Sequence, residues 1–508
     1  MIFRFFPQRP DHPLANDKEL KRIVGEIRRA PSVQAIEEVN SWLDSLKFAD
    51  KFPADRFFEI VNQLDNAAQP HLRRLKREYL TSTDSSKIEE ERRWTRSFAY
   101  YRNATESYES CLQRAQSDPK SKAAEAFKSA QPLLDARLQA LRTNQLRWKA
   151  FRYTAADESL WTALGRTFVA AETAGHAQKA LPLYTSQRSL TSVQHQYLHA
   201  LVFHISAMDG LALEQIEIAD QLISYFLPGF VFSAENRSGS GYWVVPTTGV
   251  APTRLVQQRH APVAGMRYFW AGAAFKGIAH LIDTLEHGEM PSDIEFVEQV
   301  SPTQLLSVLR HLRIYWSPKP PQRQHVRHDV SARMAVVNNF FEIHKIFLHA
   351  LREIRHIPGV SNWSADNVSL GGFRACCEDK RSGILKLGSL ICVQAEGSQS
   401  QLLGVIRRIS RRHDGRADLG VQVIAKQGRG IQLHPRRSGF AAANQIPAIW
   451  LPENRGAGLT RIILPLGGFS ARETMEFRFA EQVYQLTPLE IEERGTDYEV
   501  ARFRDASS

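Results

Sequence analysis

Arg323-Gln-His-Val-Arg327 and Asn367-Val-Ser-Leu-Gly-Gly372 are the two stretches that decide the fold of the second half of this chain. The first sets two arginines four positions apart. The second, about forty residues later, sets an amide and a hydroxyl ahead of two glycines at an expected strand end. Neither stretch is informative alone, because the same arginine spacing recurs at Arg407 and Arg411. Their conjunction is what predicts a binding site.

The residue types in these stretches suit a nucleotide. Each arginine offers a planar fork of donors that pairs with phosphate or with the O6 and N7 edge of guanine. Asn367 supplies both donors and acceptors and Ser369 adds a hydroxyl, so a base edge can be matched by polarity. Gly371 and Gly372 permit positive φ and let a ligand or a backbone approach closely, which a Cβ would prevent.

The order RxxxR, then D/NxSxxG, then a strand-rich stretch closing on Leu419-Gly420-Val421, resembles the PilZ domain family over about 110 residues. PilZ domains are bacterial receptors for cyclic di-GMP built on a small β-barrel. The resemblance implies that cyclic di-GMP is the ligand and that no catalytic cofactor is needed. It implies that Arg323 and Arg327 contact phosphate and guanine. The other implied contacts are a guanine edge for Asn367 and Ser369 and close backbone approach for Gly371 and Gly372.

Positive charge is concentrated around these motifs. Residues 319–440 hold 20 Lys and Arg against 9 Asp and Glu, an excess that equals the formal net charge of +11 for all 508 residues. A basic balance points to nucleic acid, an anionic surface or a small polyanion. The run Arg407, Arg408, Arg411 and Arg412 is the exception, because it fits a solvated face with no ligand equally well.

Length and composition predict a soluble protein of more than one domain. The chain is 43% hydrophobic and 23% charged, which is ordinary for globular proteins. The four cysteines show no C-x-x-C pair or framework spacing, so free thiols are expected. The apolar run Leu222–Phe232 is too short to span a bilayer and is broken by Pro228, and the N-terminus lacks a secretory core. We therefore expect no integral membrane segment and a cytoplasmic location.

The periodicity predicts an α+β multidomain protein. Residues 1–230 are expected to form an all-α domain, with helices from Asp17 and Ser32, and no family is evident for it. Residues 231–321 form a mixed connector that ends in the proline-rich run Trp316–Gln322. Residues 322–430 are the PilZ-like barrel, and residues 431–508 are a further β-rich module that lacks both motifs.

Within the barrel region the pattern predicts separate strands around one inserted helix. Apolar residues from Phe340 to Ile354 fall three and four apart, which indicates an amphipathic helix that lengthens the gap between the two motifs beyond the usual family spacing. The expected strands are Val330–Val337, Phe373–Cys377, Gly388–Ala395, Leu402–Ile409 and Leu419–Ala425. In the last module, Leu459–Leu464 and Met475–Phe479 are expected strands.

The leading hypothesis is a cyclic di-GMP receptor that reorients the helical domain for an unknown downstream protein partner. One alternative is a PilZ-like scaffold for motility, pilus or envelope machinery that binds no nucleotide. Another is nonspecific nucleic-acid binding, which ranks last because aromatic residues are sparse around Arg407–Arg416. No phosphate-cradling glycine loop, nucleophile elbow or metal-ligand cluster is evident, so neither an enzyme nor a metal site is expected.

Overall fold

The computed structural model of this protein describes residues 12–49, 51–81, 86–186, 189–255, 263–290, 294, 300–319, 325–378, 385–436, 445–452 and 458–505. The chain divides into two compact units. The first comprises Met1–Met208 and Ala212–Pro321, and the second comprises Asp209–Leu211 and Gln322–Ser508. The finer boundaries expected near residues 230 and 430 stay predictions.

The described part of the first unit is mainly helical. Its α-helices are α1 (Asp17–Arg29), α2 (Ser32–Leu46), α3 (Ala54–Thr81), α4 (Lys87–Ser117), α5 (Lys122–Lys128), α6 (Gln131–Ala150), α7 (Glu158–Thr173), α8 (Val193–Ile205), α9 (Leu213–Phe226), α10 (Ala273–Glu286) and α11 (Pro302–Trp316). Helix α1 begins as the sequence predicts, but its cap is Asn16, whose side chain accepts from the Lys18 N–H at 2.9 Å. Its apolar stripe, Leu20, Ile23 and Ile27, is buried.

A polar network lies inside this helical unit. The buried Asp65 carboxylate accepts from the Tyr100 hydroxyl at 2.5 Å, from the Tyr108 hydroxyl at 2.8 Å and from the Arg137 guanidinium at 2.7 Å. Each of these four side chains is almost fully buried. Helix α4 packs against α2, α3 and α6, so several of its polar residues lie in the interior.

The first unit also contains short strands. A two-stranded pair is formed by β1 (Leu181–Pro182) and β2 (Leu190–Thr191), and a small antiparallel sheet has the order β3-β6-β4-β5, formed by β3 (Val231–Ser233), β4 (Tyr242–Val244), β5 (Thr253–Arg254) and β6 (Arg267–Trp270). Helix α10 begins at Ala273 because residues 267–270 form β6, which pairs with β3 and β4. Gly272, with φ of 51°, precedes the helix.

The second unit contains two closed barrels. The first is formed by β7 (His328–Asn338), β8 (Ser361–Ser369), β9 (Gly372–Glu378), β10 (Leu390–Ala395), β11 (Gln401–Arg411) and β12 (Arg416–Ala425), with helix α12 (Phe340–Leu348) between β7 and β8. Every pairing is antiparallel, and the order around the barrel is β7-β8-β9-β12-β11-β10. Four of the five strands predicted in this region fall within these elements, and the fifth, Gly388–Ala395, begins two residues before β10.

The last module is a second barrel with the same neighbour order. Its strands are β13 (Arg429–Pro435), β14 (Ile446–Leu451), β15 (Leu459–Pro465), β16 (Met475–Phe479), β17 (Gln482–Arg494) and β18 (Tyr498–Asp505). They close as β13-β14-β15-β18-β17-β16. If each strand is numbered from one within its own barrel, both barrels follow the order 1-2-3-6-5-4. The two barrels are therefore topological copies, although only the first carries the two motifs.

Helix α12 joins the two barrels through one shared core. Phe340 and Ile343 of this helix are buried in a cluster with residues of both barrels, including Leu403 and Ile449. The helix ends at Leu348, six residues before the predicted end. Beyond it the chain turns at Ala350, which has a φ of 48°. The helical expectation for residues 349–354 was therefore wrong.

These elements confirm an α+β multidomain protein with a helical N-terminal region followed by two six-stranded barrels. Among the described residues, no helix combines the length and the apolar character needed to cross a membrane.

Candidate functional site

The hairpin between β8 and β9 carries the second motif. Residues 370 and 371 form its loop, because Ser369 pairs with Gly372 across the strands. The Ser369 hydroxyl donates to the Gly372 carbonyl oxygen at 3.0 Å, so this side chain closes the turn on itself. The β12 strand also reaches the loop, since the Val423 N–H donates to the Gly371 carbonyl at 3.1 Å. The turn is thus held from two sides.

Gly372 is required for space and not for backbone conformation. A Cβ on Gly372 would lie 2.2 Å from the Val421 carbonyl oxygen, which no side chain tolerates. A Cβ on Gly371 would lie 3.3 Å from Cδ2 of His325. Neither glycine has the positive φ that the sequence suggested. The expected close backbone approach is present, whereas the expected left-handed conformation is absent.

A β-bulge aims Asn367 outward. Ala365 pairs with Ala375, but Asn367 pairs with Arg374, so Asp366 is the extra residue in β8. Bulges of this kind re-aim a side chain and are common beside functional sites. Among the described residues, no donor reaches the Asn367 Oδ1, although this atom is buried. A buried acceptor without a partner is uncommon and calls for an explanation.

The described part of the arginine segment lies beside this hairpin. Arg327 directly precedes β7, whose first residues His328 and Asp329 pair with Val368 and Asn367. The imidazole of His325 lies against Gly371, as the short Cβ distance shows. The structure therefore brings His325–Arg327 of the first motif beside the second motif, at one end of the β7–β8–β9 sheet. Arg327 is exposed, and Arg323 lies outside the described residues.

Arg374 is a cation at this site that the sequence analysis did not single out. It pairs with Asn367 across the strands and donates to the Asp418 carboxylate at 2.9 Å. Arg412 donates to the same carboxylate through two nitrogens, at 2.6 and 2.8 Å. Burial by itself would raise the pKa of Asp418, but the hydrogen bonds and charges of both arginines outweigh it and lower that pKa. Side chains alternate between the two faces of a strand, so counting two residues from Gly372 would have predicted Arg374 on the outer face.

Arg407 connects the hairpin end of the first barrel to the second barrel. Its Nε donates to the side chain of Gln422 at 2.8 Å, and Gln422 is the cross-strand partner of Gly372. Its Nη2 donates to Glu493 of β17 at 2.5 Å. Arg407 and Arg412, two members of the basic run, are thus engaged by protein carboxylates. This agrees with the alternative in which the run needs no ligand.

The helical unit contains a further buried polar cluster among the described residues. His199 bonds the Asp220 carboxylate at 2.9 Å within a buried group that also contains Arg147, Lys76 and Glu217. No group of three or more potential metal ligands occurs among the residues that the structure describes.

Comparison with known proteins adds information on the helical part. Residues 18–235 match the family model described as "Cyclic-di-GMP receptor FimW, N-terminal domain". This is the region for which the sequence analysis named no family. No curated protein matches the chain. The match does not extend to the two barrels, so the PilZ resemblance of the first barrel stays a prediction. The helical region of this chain is similar to the N-terminal domain of a cyclic di-GMP receptor.

Proposed function

We propose that this protein is a cyclic di-GMP receptor whose first, PilZ-like barrel binds the nucleotide at the β8–β9 hairpin. Two independent features support the proposal. The helical region resembles the N-terminal domain of a receptor for this nucleotide. In the second unit, the described part of the arginine segment lies beside the hairpin motif. The observation that carries the proposal is the buried, unpartnered Oδ1 of Asn367 beside that segment.

Guanine can donate the hydrogen bond that the Asn367 Oδ1 does not receive from the described residues. Its exocyclic amine donates hydrogen bonds, while its O6 and N7 accept them. In the proposed complex the Asn367 Oδ1 accepts from the base, and Ser369 and the glycine turn lie under it. Arg327 and Arg323 bind a phosphate or the O6 and N7 edge, since either group suits a guanidinium fork.

Arg374 and His325 extend this proposed site. Arg374 is the cross-strand neighbour of Asn367, so a base bound to the amide lies within reach of its guanidinium. Two carboxylates, Asp418 at 2.9 Å and Asp366 at 3.8 Å, hold it in place. His325 offers a flat ring against the turn. No step of this proposal involves catalysis.

The downstream response follows from where the arginines lie in the chain. The arginine segment directly follows the run Pro318-Lys-Pro-Pro321, which precedes the second unit. A ligand that binds Arg323 and the hairpin at once therefore acts on this connection. It changes the orientation of the helical domain toward a partner only to the extent that it binds one arrangement more tightly than another.

Hydrogen exchange of the full chain with and without cyclic di-GMP tests the location of the site. The proposal predicts slower exchange in peptides that contain residues 325–330 and 366–374. The matched control is the corresponding β14–β15 hairpin of the second barrel, where exchange stays unchanged. Protection confined to the helical unit, or to the second barrel, would refute the proposed site while leaving nucleotide binding itself intact.

A further inference from the structure

A groove lies on the outer face of the first barrel, farther along the same strands. Its volume is about 720 Å³, which falls within the range of small-molecule sites. The walls come from β7, β8 and β9, from the β11–β12 hairpin and from the two loops that carry Arg355 and Glu396. The residues named above at the turn, Asn367 to Gly372, do not line it.

Three polar side chains line this groove without a partner. Arg333 of β7 pairs across the strands with Ser364 of β8, and Asn362 lies two residues from Ser364 on the same face. Within the part of the chain that the structure describes, none of the three side chains makes a hydrogen bond or an ion pair. A guanidinium, a hydroxyl and an amide are therefore available side by side to a bound ligand.

The groove has a small excess of positive charge. Three carboxylates line it, Asp366, Glu378 and Glu396, and so do four arginines: Arg333, Arg355, Arg412 and Arg416. Three of them have carboxylate partners, since Glu396 lies 3.1 Å from Arg355, Asp418 binds Arg412 through both oxygens, and Asp414 lies 3.9 Å from Arg416. Arg333 has no such partner among the described residues.

The groove is separate from the proposed site at the turn. Cys376, which lines the groove, is four residues from Gly372 along β9, a separation of about 13 Å. Arg374 of the proposed site lies between the two, two residues from Cys376, so the sites adjoin but use different residues.

We propose that this groove is a second anion site, in which Arg333, Ser364 and Asn362 bind the phosphate of a nucleotide. The ligand is a further cyclic di-GMP molecule or another phosphorylated nucleotide, because a phosphate group is the chemistry that both present. This inference goes beyond the proposed function and does not depend on it.

The thiol of Cys376, which lines the groove, can report the binding of a ligand there. Cys376 is partly exposed, whereas Cys111, Cys377 and Cys392 are buried. Burial raises the pKa of the Cys376 thiol, so labelling is best followed at mildly alkaline pH. We would measure the rate of thiol labelling of the folded full chain with cyclic di-GMP, GTP or inorganic pyrophosphate present. The Cys376→Ser variant identifies the signal.

The proposal predicts that at least one nucleotide slows labelling in a saturable manner. Arg333→Ala raises the concentration for half-protection by roughly tenfold or more, as expected for a lost charged hydrogen bond. The matched control Arg352→Ala, an exposed arginine that does not line the groove, leaves it unchanged. Protection by pyrophosphate alone would assign the site to free phosphate groups and overturn the nucleotide assignment.

The same experiment separates this inference from the proposed function. Protection by GTP without any binding of cyclic di-GMP would keep the groove and refute the receptor proposal. Calorimetric binding of cyclic di-GMP, with no probe slowing the labelling of Cys376, would support the receptor proposal and refute the groove. Protection that disappears in Arg327→Ala but survives in Arg333→Ala would overturn the groove, because the effect would then originate at the turn.

Discussion

Replacement of Asn367 by alanine has opposite effects on stability and on binding. The side chain holds a buried acceptor with no partner among the described residues. Such an atom costs a folded protein about 1–3 kcal/mol. Truncation removes the whole carboxamide and keeps the β-carbon. We therefore expect Asn367→Ala to increase the free energy of unfolding of the ligand-free barrel by roughly 1 to 3 kcal/mol.

The same substitution weakens ligand binding. Loss of one hydrogen bond of about 1.4 kcal/mol raises the Kd for cyclic di-GMP about tenfold. Asn367→Asp keeps an acceptor and restores most of the affinity. It also lowers stability, because the new carboxylate faces Asp329 across the strands and adjoins Asp366. Compared with Asn367→Ala, Asn367→Asp is therefore expected to bind more tightly and to be less stable.

Urea unfolding of the full chain, read by pulsed hydrogen exchange of first-barrel peptides, measures the stability change. This readout is needed because a chain with two compact units is not expected to unfold in one step. Calorimetry measures the affinity. Gln432→Ala, which truncates a strand amide in the second barrel, is the control and changes neither property of the first barrel. If Asn367→Ala destabilises the barrel or leaves the Kd unchanged, the amide is a structural residue and the reasoning fails.

Arg327→Ala raises the calorimetric Kd for cyclic di-GMP roughly tenfold or more, whereas Arg411→Ala changes it little. Equal losses of affinity in the two variants would indicate a diffuse basic patch. Gly372→Ala destabilises the first barrel by more than about 1 kcal/mol, because its Cβ would collide with a backbone carbonyl of β12, and normal urea unfolding would contradict this. Asp220→Asn breaks a buried ion pair with Arg147 and lowers the free energy of unfolding of the helical unit by about 3 kcal/mol at pH 7. Burial by itself would raise the pKa of Asp220, but the charge of Arg147 helps to lower it. The stability difference between the natural chain and Asp220→Asn is therefore full above pH 3.8 and shrinks as the pH falls through the depressed folded pKa. A stability difference that does not depend on pH would contradict this account.

Strands β9 and β12 could be predicted because burial alternates along them. Strand β10 is buried along almost its whole length, so its apolar run marks it and alternation does not. The second motif predicted the strand end at Asn367–Gly372. The bulge at Asp366 could not be predicted, since it depends on the register of β8 against β9. That register decides that Asn367 faces outward, and the sequence gives no local signal for it.

The apolar period after Phe340 was misleading for a physical reason. Ile354 is fully buried, as a helical stripe would require, but it enters the core from a loop. Its N–H is bonded to the Gln394 side chain at 3.0 Å, which replaces a helical hydrogen bond. Burial and helical spacing therefore coincided without a helix.

The second barrel could be recognised only as β-rich from the sequence. Its identical strand order depends on long-range pairings, such as β15 with β18, that leave no motif. The buried charges of the helical unit were equally hidden. Arg137 and Asp65 are paired in the interior, whereas charged residues in a helix are ordinarily expected at the surface.

The most direct test of the receptor proposal is isothermal titration of the purified full chain with cyclic di-GMP at physiological salt. GTP and a short single-stranded RNA are the controls. The proposal predicts saturable heat with cyclic di-GMP that Arg327→Ala reduces and Arg411→Ala does not. No heat with cyclic di-GMP would contradict it, as would RNA binding of similar strength that falls steeply with salt, since that dependence marks nonspecific phosphate contacts.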